Sequence, residues 1–269
     1  SNQIFKKNNL KIRELILEKK QKAINYHPTI IILSLIFIIF IFLEFFSVNY
    51  SFSKHIMDHT HDGNYLTPTQ NYWSTKKFWT SSHLTHGASD IFYPLLMWKI
   101  LGVESVGAVR TFPIFLILFI KLLCVLLSYQ LTKISNLSKE AKILFFVIFT
   151  SILISMSRYT FLGASYYMSD KDIYIILFLI FFIELFINSK FRSLSIISIS
   201  LIATISVLLH IDIGIYINFI FIFYFLYLLI VKKYNDVLLI FLSFFIFWTI
   251  LVSIIGFDEF NAFLNNTKT

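Results

Sequence analysis

Residues 58–62 read DHTHD, two carboxylates and two imidazoles within five positions. Later, in SDKD, Asp170 and Asp172 flank Lys171, with Arg158 upstream. Three chemistries use such residues. The five histidines of HIMDHTH and HLTH have the spacing of metal ligands. Ionisable residues inside apolar runs, here Glu44, Lys121 and Glu184, mark the ion pathway of a transporter or lipid-handling protein. Group transfer from a phosphate carrier needs a carboxylate to take the proton of an attacking hydroxyl. It also needs cations or a metal ion against the leaving phosphate. Asp62, Asp170 and Asp172 supply the oxygen ligands a hard divalent cation prefers, and Arg158 and Lys171 supply phosphate partners. Asp170 and Asp172 can share one ion if their backbone is not helical. SDKD reads equally as a helix start, with Asp170 as N-cap and Asp172 favouring the helix dipole.

The elements that position these residues follow from composition. The chain has 269 residues, of which 57% are hydrophobic, 19% aromatic and only 14% charged, with mean hydropathy +0.76. A soluble domain carries roughly 25% charged residues, so this is a polytopic membrane protein, all-α because hydrocarbon cannot satisfy free backbone groups. The single cysteine, Cys124, excludes a disulfide framework and a cysteine-ligated zinc. The net charge of +8 is spread over short loops, a topogenic pattern and not a nucleic-acid surface.

Seven segments approach the roughly 20 apolar residues of a spanning helix: 29–48, 111–131, 141–157, 173–188, 193–210, 213–231 and 237–256. They form a membrane module over 29–256, preceded by a basic segment, 1–28, and followed by 257–269 as the start of a further outer segment. The chain opens at Ser1 and closes on FNAFLNNTKT, and is expected to be the N-terminal portion of a longer protein. The basic N-terminal stretch and the short basic loops TKISNLSKEAK, NSKFRS and VKKYND belong in the cytoplasm. That parity puts 49–110, 158–172, the hairpin near 210–213 and 257–269 on the outer face. These segments hold nine of the 15 acidic residues, an asymmetry a water-side site would explain. The outer loop 49–110 is expected to hold interfacial helices, with Tyr72, Trp73, Phe78 and Trp79 at the headgroup layer and Lys76 and Lys77 drawing an anionic lipid. Lys121 and Glu184 fall at similar depths and are expected to pair.

The order of these features resembles the membrane-embedded GT-C glycosyltransferases from the first span to about residue 230. HDGNY, with Asp62, Asn64 and Tyr65, is similar to the acidic motif of the oligosaccharyltransferase catalytic subunit. FYPLLMWKILGVESVGAVRTF, with Pro94, Leu95, Gly102 and Arg110, resembles bacterial lipid-A and protein O-mannosyl type members. Arg158 with Asp170 and Asp172, and His210 in LLHIDIG, match later family features. The resemblance implies a polyprenyl-phosphate-linked sugar donor and transfer to an acceptor (lipid, glycan or protein) on the outer side. It implies that Asp62 is the base or a metal-positioning group, and that Asp170 and Asp172 join it on a divalent cation such as magnesium or manganese. Arg158, Lys171, Arg110 and His210 would bind the donor phosphate. Where family members carry two adjacent acids, Gly63 follows Asp62 here, which leaves Asp58 for the second role. A composition rich in Ile, Phe, Lys and Asn points to a bacterial inner membrane and a periplasmic site.

Overall fold

Long apolar runs become helices because a lipid-embedded backbone must satisfy its own hydrogen bonds. The computed structural model describes residues 28–47, 59–84, 86–156, 170–187 and 190–266. Among them are ten helices: α1 (Pro28–Ser47), α2 (His59–Thr75), α3 (Ser89–Leu101), α4 (Val106–Ile134), α5 (Lys139–Met156), α6 (Asp170–Ile187), α7 (Arg192–Leu209), α8 (Ile211–Ile230), α9 (Tyr234–Ile255) and α10 (Phe257–Asn266). Each of the seven expected segments carries a helix. Five helices, α1, α4, α7, α8 and α9, are long and apolar enough to cross a bilayer. The two shorter segments, α5 and α6, have 18 residues each and carry charges, three at the start of α5 and four in α6. The chain is thus an all-α, multi-spanning membrane bundle.

The helices run alternately up and down. Phe45 near the end of α1 meets Phe115 near the start of α4. Tyr174 near the start of α6 meets His210 at the end of α7. Helix α7 packs against α6, α8 and α9. Its buried face carries Ser195, Ser200, Ala203 and Ser206, and small residues are what let membrane helices approach closely. Gly214 extends this to α8, since a Cβ there would lie 2.2 Å from the Val207 Cα. Asn218 Nδ2 then donates to the carbonyls of Ala203 at 2.8 Å and Gly214 at 2.7 Å, which closes the α7–α8 hairpin. At the opposite end of the bundle, Arg192 bonds Asp236 of α9, Nε at 2.8 Å, and the Leu185 carbonyl of α6 at 3.0 Å.

Two expectations are corrected. Lys121 does not pair with Glu184: its Nζ donates to Glu44 Oε2 of α1 at 2.8 Å. The reason is helical phase. Leu118, Leu122 and Val125 share a face of α4 with Lys121 and pack on α1, whereas Leu123 and Leu127 pack on α6. Trp79 is no headgroup anchor either. It is buried with Leu84, Ala88, Ile91 and Phe263, because α10 folds back over the loop that carries it. Trp73 remains exposed, with Lys76 Nζ 4.5 Å from its ring centroid.

Removing either member of the α1–α4 pair takes from a largely buried charge its partner at 2.8 Å. Lys121→Met or Glu44→Leu alone should cost about 3 kcal/mol, and the double change should recover most of it. Thermal unfolding in detergent checks this, and adding Glu184→Leu to Lys121→Met should recover nothing.

Candidate functional site

The end of the bundle where α6 and α8 begin gathers the polar chemistry. Between α2 and α3 the chain runs beneath the α7–α8 turn. Ala88 N–H donates to the Leu208 carbonyl at 2.9 Å, and Ile211 N–H donates to the His86 carbonyl at 3.1 Å. Between those two bonds sits Gly87 at φ +125°, where a Cβ would lie 2.6 Å from the Leu209 carbonyl oxygen. Only glycine suits both the conformation and the close approach.

That docking presents His86 and Asp90. The Asp90 carboxylate is fully buried. Its Oδ2 accepts the His86 backbone N–H at 3.0 Å, and its Oδ1 lies 3.0 Å from His86 Nδ1. The His86 side chain keeps 33% of its exposure. The hydrogen bond to Asp90 holds the imidazole above its ordinary range, against the opposing effect of burial. Thr69 of α2 donates to the Asp90 carbonyl at 3.3 Å, so α2 rides on α3. Tyr93 of α3 and Tyr174 of α6 share a hydroxyl hydrogen bond of 2.6 Å, and Tyr93 stacks on Phe112 of α4. Lys171 of α6 bonds Asp212 of α8 at 2.5 Å. His210, buried in the single-residue α7–α8 turn, has its ring 6.2 Å from those of both His86 and Tyr174.

The expected site residues fall unevenly. Lys171, Asp172 and His210 are at this end, on α6 and the α7–α8 turn. Asp62 lies in the first turn of α2, Arg110 in the first turns of α4 and Asp170 at the start of α6; their side chains are outside the described part. Asp58 and Arg158 lie outside the described residues altogether. Residues 170–172 are helical, which is the helix-start alternative for SDKD. Residues two apart on a helix do not face each other, and the non-helical backbone expected to let Asp170 and Asp172 share one ion is not what this segment adopts. Among the described residues, no group of three His, Cys, Asp or Glu side chains could hold a metal ion.

The motif that closes α3 has a plain structural basis. Pro94 is buried within α3, and Gly102 caps it in the left-handed region at φ +67°, its N–H on the Trp98 carbonyl. Ser105 Oγ then caps α4 by accepting the Ala108 N–H at 3.1 Å. The His86–Asp90 pair was not singled out from the sequence, although HGASD holds the signal: an i, i+4 acid–base pair beside a glycine. Glu259 of α10 gave no local signal at all. It accepts the N–H groups of Phe78 at 2.9 Å, Trp79 at 2.7 Å and Thr80 at 3.3 Å, and also the Thr80 hydroxyl. Comparison with known proteins finds no matching family model, no matching curated protein and no matching solved structure.

Burial works to raise the Glu259 carboxyl, but its hydrogen bonds with Thr80, Trp79 and Phe78 outweigh it and hold the group below its ordinary 4.5. Its contribution to stability is therefore complete above that value and lost as pH falls through the lowered one. Glu259→Ala should cost about 2 kcal/mol, since it strands the buried Trp79 N–H and the part-buried N–H groups of Phe78 and Thr80, and Glu259→Gln, which keeps an acceptor, should cost less. Tryptophan emission should shift to the red on acidification in the native protein, and Glu259→Gln should lack that acid limb.

Proposed function

We propose that the chain is a glycosyltransferase of the GT-C type, moving a sugar from a polyprenyl-phosphate donor to an acceptor on the outer face of a membrane. The observation that carries the reading is the meeting, at one end of the bundle, of the elements that bear the expected residues. Helix α2, with Asp62, rides on α3; α3 touches α6 through Tyr93 and Tyr174; α6, with Lys171 and Asp172, touches α8 through Asp212; and His210 lies between them. Six spans separate the first polar loop from α10 if α5 and α6 cross the bilayer too. That even number agrees with the Glu259 contact to residues 78–80.

In this reading the N-terminus is cytoplasmic and the site periplasmic, in a bacterial inner membrane. Asp62, with Asp58 in the second acidic role, is the base or the metal-positioning group. Lys171, Arg110, Arg158 and His210 are the groups assigned to binding the donor phosphate. A divalent cation, when bound by Asp62 with Asp170 or Asp172, supplies charge stabilisation to the leaving phosphate. The Lys171–Asp212 bond then has a purpose besides holding two helices together. It keeps a cation at the mouth of the site, to be shared with an arriving phosphate.

Transfer from polyprenyl-phosphate hexoses in proteoliposomes tests the reading. Asp62→Ala should lower it by about 100-fold or more, Lys171→Ala should raise KM for the donor, and chelation of divalent cations should slow the reaction. Transfer at the native rate by Asp62→Ala removes the assignment.

A further inference from the structure

We infer that His86, oriented by Asp90, takes the proton of the acceptor hydroxyl in the transfer reaction proposed above, on which this role rests. An ionised carboxylate only accepts hydrogen bonds. Facing Asp90 Oδ1 at 3.0 Å, Nδ1 of His86 is therefore the protonated nitrogen, and Nε2 is the basic one. Asp90 spends both oxygens on this residue, one on the ring and one on the backbone N–H. A fully buried carboxylate devoted to a part-exposed imidazole is the arrangement of a base and its orienting group. A solvated surface histidine has no need of it.

The support beneath the ring is rigid. His86 is followed by Gly87, pressed onto the Leu208 and Leu209 carbonyls, and its own carbonyl is held by Ile211. Among the described residues, the charged and titratable groups around it are Asp90 on α3, Lys171 on α6, Asp212 on α8 and His210 in the turn, with Tyr174 of α6 against His210. Lys171 and Asp212 act on the ring in opposite senses and are bonded to each other, so Asp90 dominates.

In the step, the acceptor oxygen forms its bond to the anomeric carbon as the bond from that carbon to the phosphate oxygen breaks. The phosphate keeps the bonding pair. The hydroxyl proton passes to His86 Nε2, and the imidazolium, stabilised by Asp90, later releases it to water. Asp62 is then left with the metal-positioning half of its expected role, and Asp90 is a positioning residue.

The test uses the chain in proteoliposomes with short polyprenyl-phosphate hexoses as donors and an alkyl glycoside as acceptor. His86→Asn keeps a donor where Nδ1 stood, and so keeps the Asp90 contact, but has no basic nitrogen. It should unfold at the native temperature yet lose about 100-fold in kcat with little change in KM for the donor. Native transfer should rise with pH through one ionisation matching the His86 ring pKa seen by nitrogen NMR of histidine-labelled protein in nanodiscs. Asp90→Asn should lower that ring pKa and move the rate limb with it. Native-level transfer by His86→Asn overturns the inference while leaving the glycosyltransferase reading intact, as does a rate limb that stays put when the ring pKa moves. If the native chain transfers no sugar from any of the donors, both fall.

Discussion

Everything at the polar end depends on one docking contact, the 86–88 segment held against the α7–α8 turn. Two backbone hydrogen bonds and a glycine with no room for a side chain fix it. Because the contact is backbone to backbone, it sets the position of His86 and Asp90 to within the tolerance of hydrogen-bond geometry. It also ties a loop that lies between α1 and α4 in sequence to a hairpin more than a hundred residues later. Without it, α3 would be held by its contacts with α2 and α4, the cluster of Ile91 with Trp79 and Phe263, and the Tyr93–Tyr174 hydroxyl bond. The second clamp is chemically different. A buried carboxylate on α10 caps the turn at residues 78–80, and Trp79, Phe260, Phe263 and Trp248 fill the space around it.

Helix polarity explains much of the charge at this end. In an up-and-down bundle every second span begins on the same face, and α3, which lies in the loop before α4, starts at that end as well. Here α3, α6, α8 and α10 begin together, and each carries acid in its first turn: Asp90, Asp170 and Asp172, Asp212, and Asp258 with Glu259. Acids are favourable there because the amide dipoles leave partial positive charge at a helix start. Helices that begin at the opposite end carry acid there too, Glu140 in α5 and Asp236 in α9, so the dipole accounts for where each acid sits on its helix and not for the asymmetry between the two ends. What folding alone does not require is the two-oxygen grip of Asp90 on a part-exposed imidazole, or a lysine at the rim.

The sequence made the seven helices legible because apolar length is a strong signal in a membrane, and their bounds agree to within a few residues of the expected ones, α4 excepted. That helix starts at Val106 because Ser105 offers a cap in the polar part of the chain, where hydropathy gives no warning. Lateral neighbours were less legible. Depth counting pointed Lys121 to Glu184, whereas the helical phase of Leu118, Leu122 and Val125 turns it to Glu44. The polar loop was the hardest part. Aromatics beside lysines read as a headgroup anchor, but whether Trp79 meets lipid or Phe263 depends on a helix 180 residues downstream. For His86 and Asp90 the spacing was visible; the burial that gives it meaning was not.

The central claim is that the starts of α3, α6, α8 and α10 share one aqueous face. Site-by-site thiol labelling tests it most directly. In a Cys124→Ser background, Glu104→Cys, Asp212→Cys and Asp258→Cys should react with an impermeant reagent from one side of sealed vesicles. Asn136→Cys and Lys232→Cys should react only from the other. Labelling of Asp212→Cys from the side opposite to Glu104→Cys contradicts the shared face, and with it any single site built from these helices.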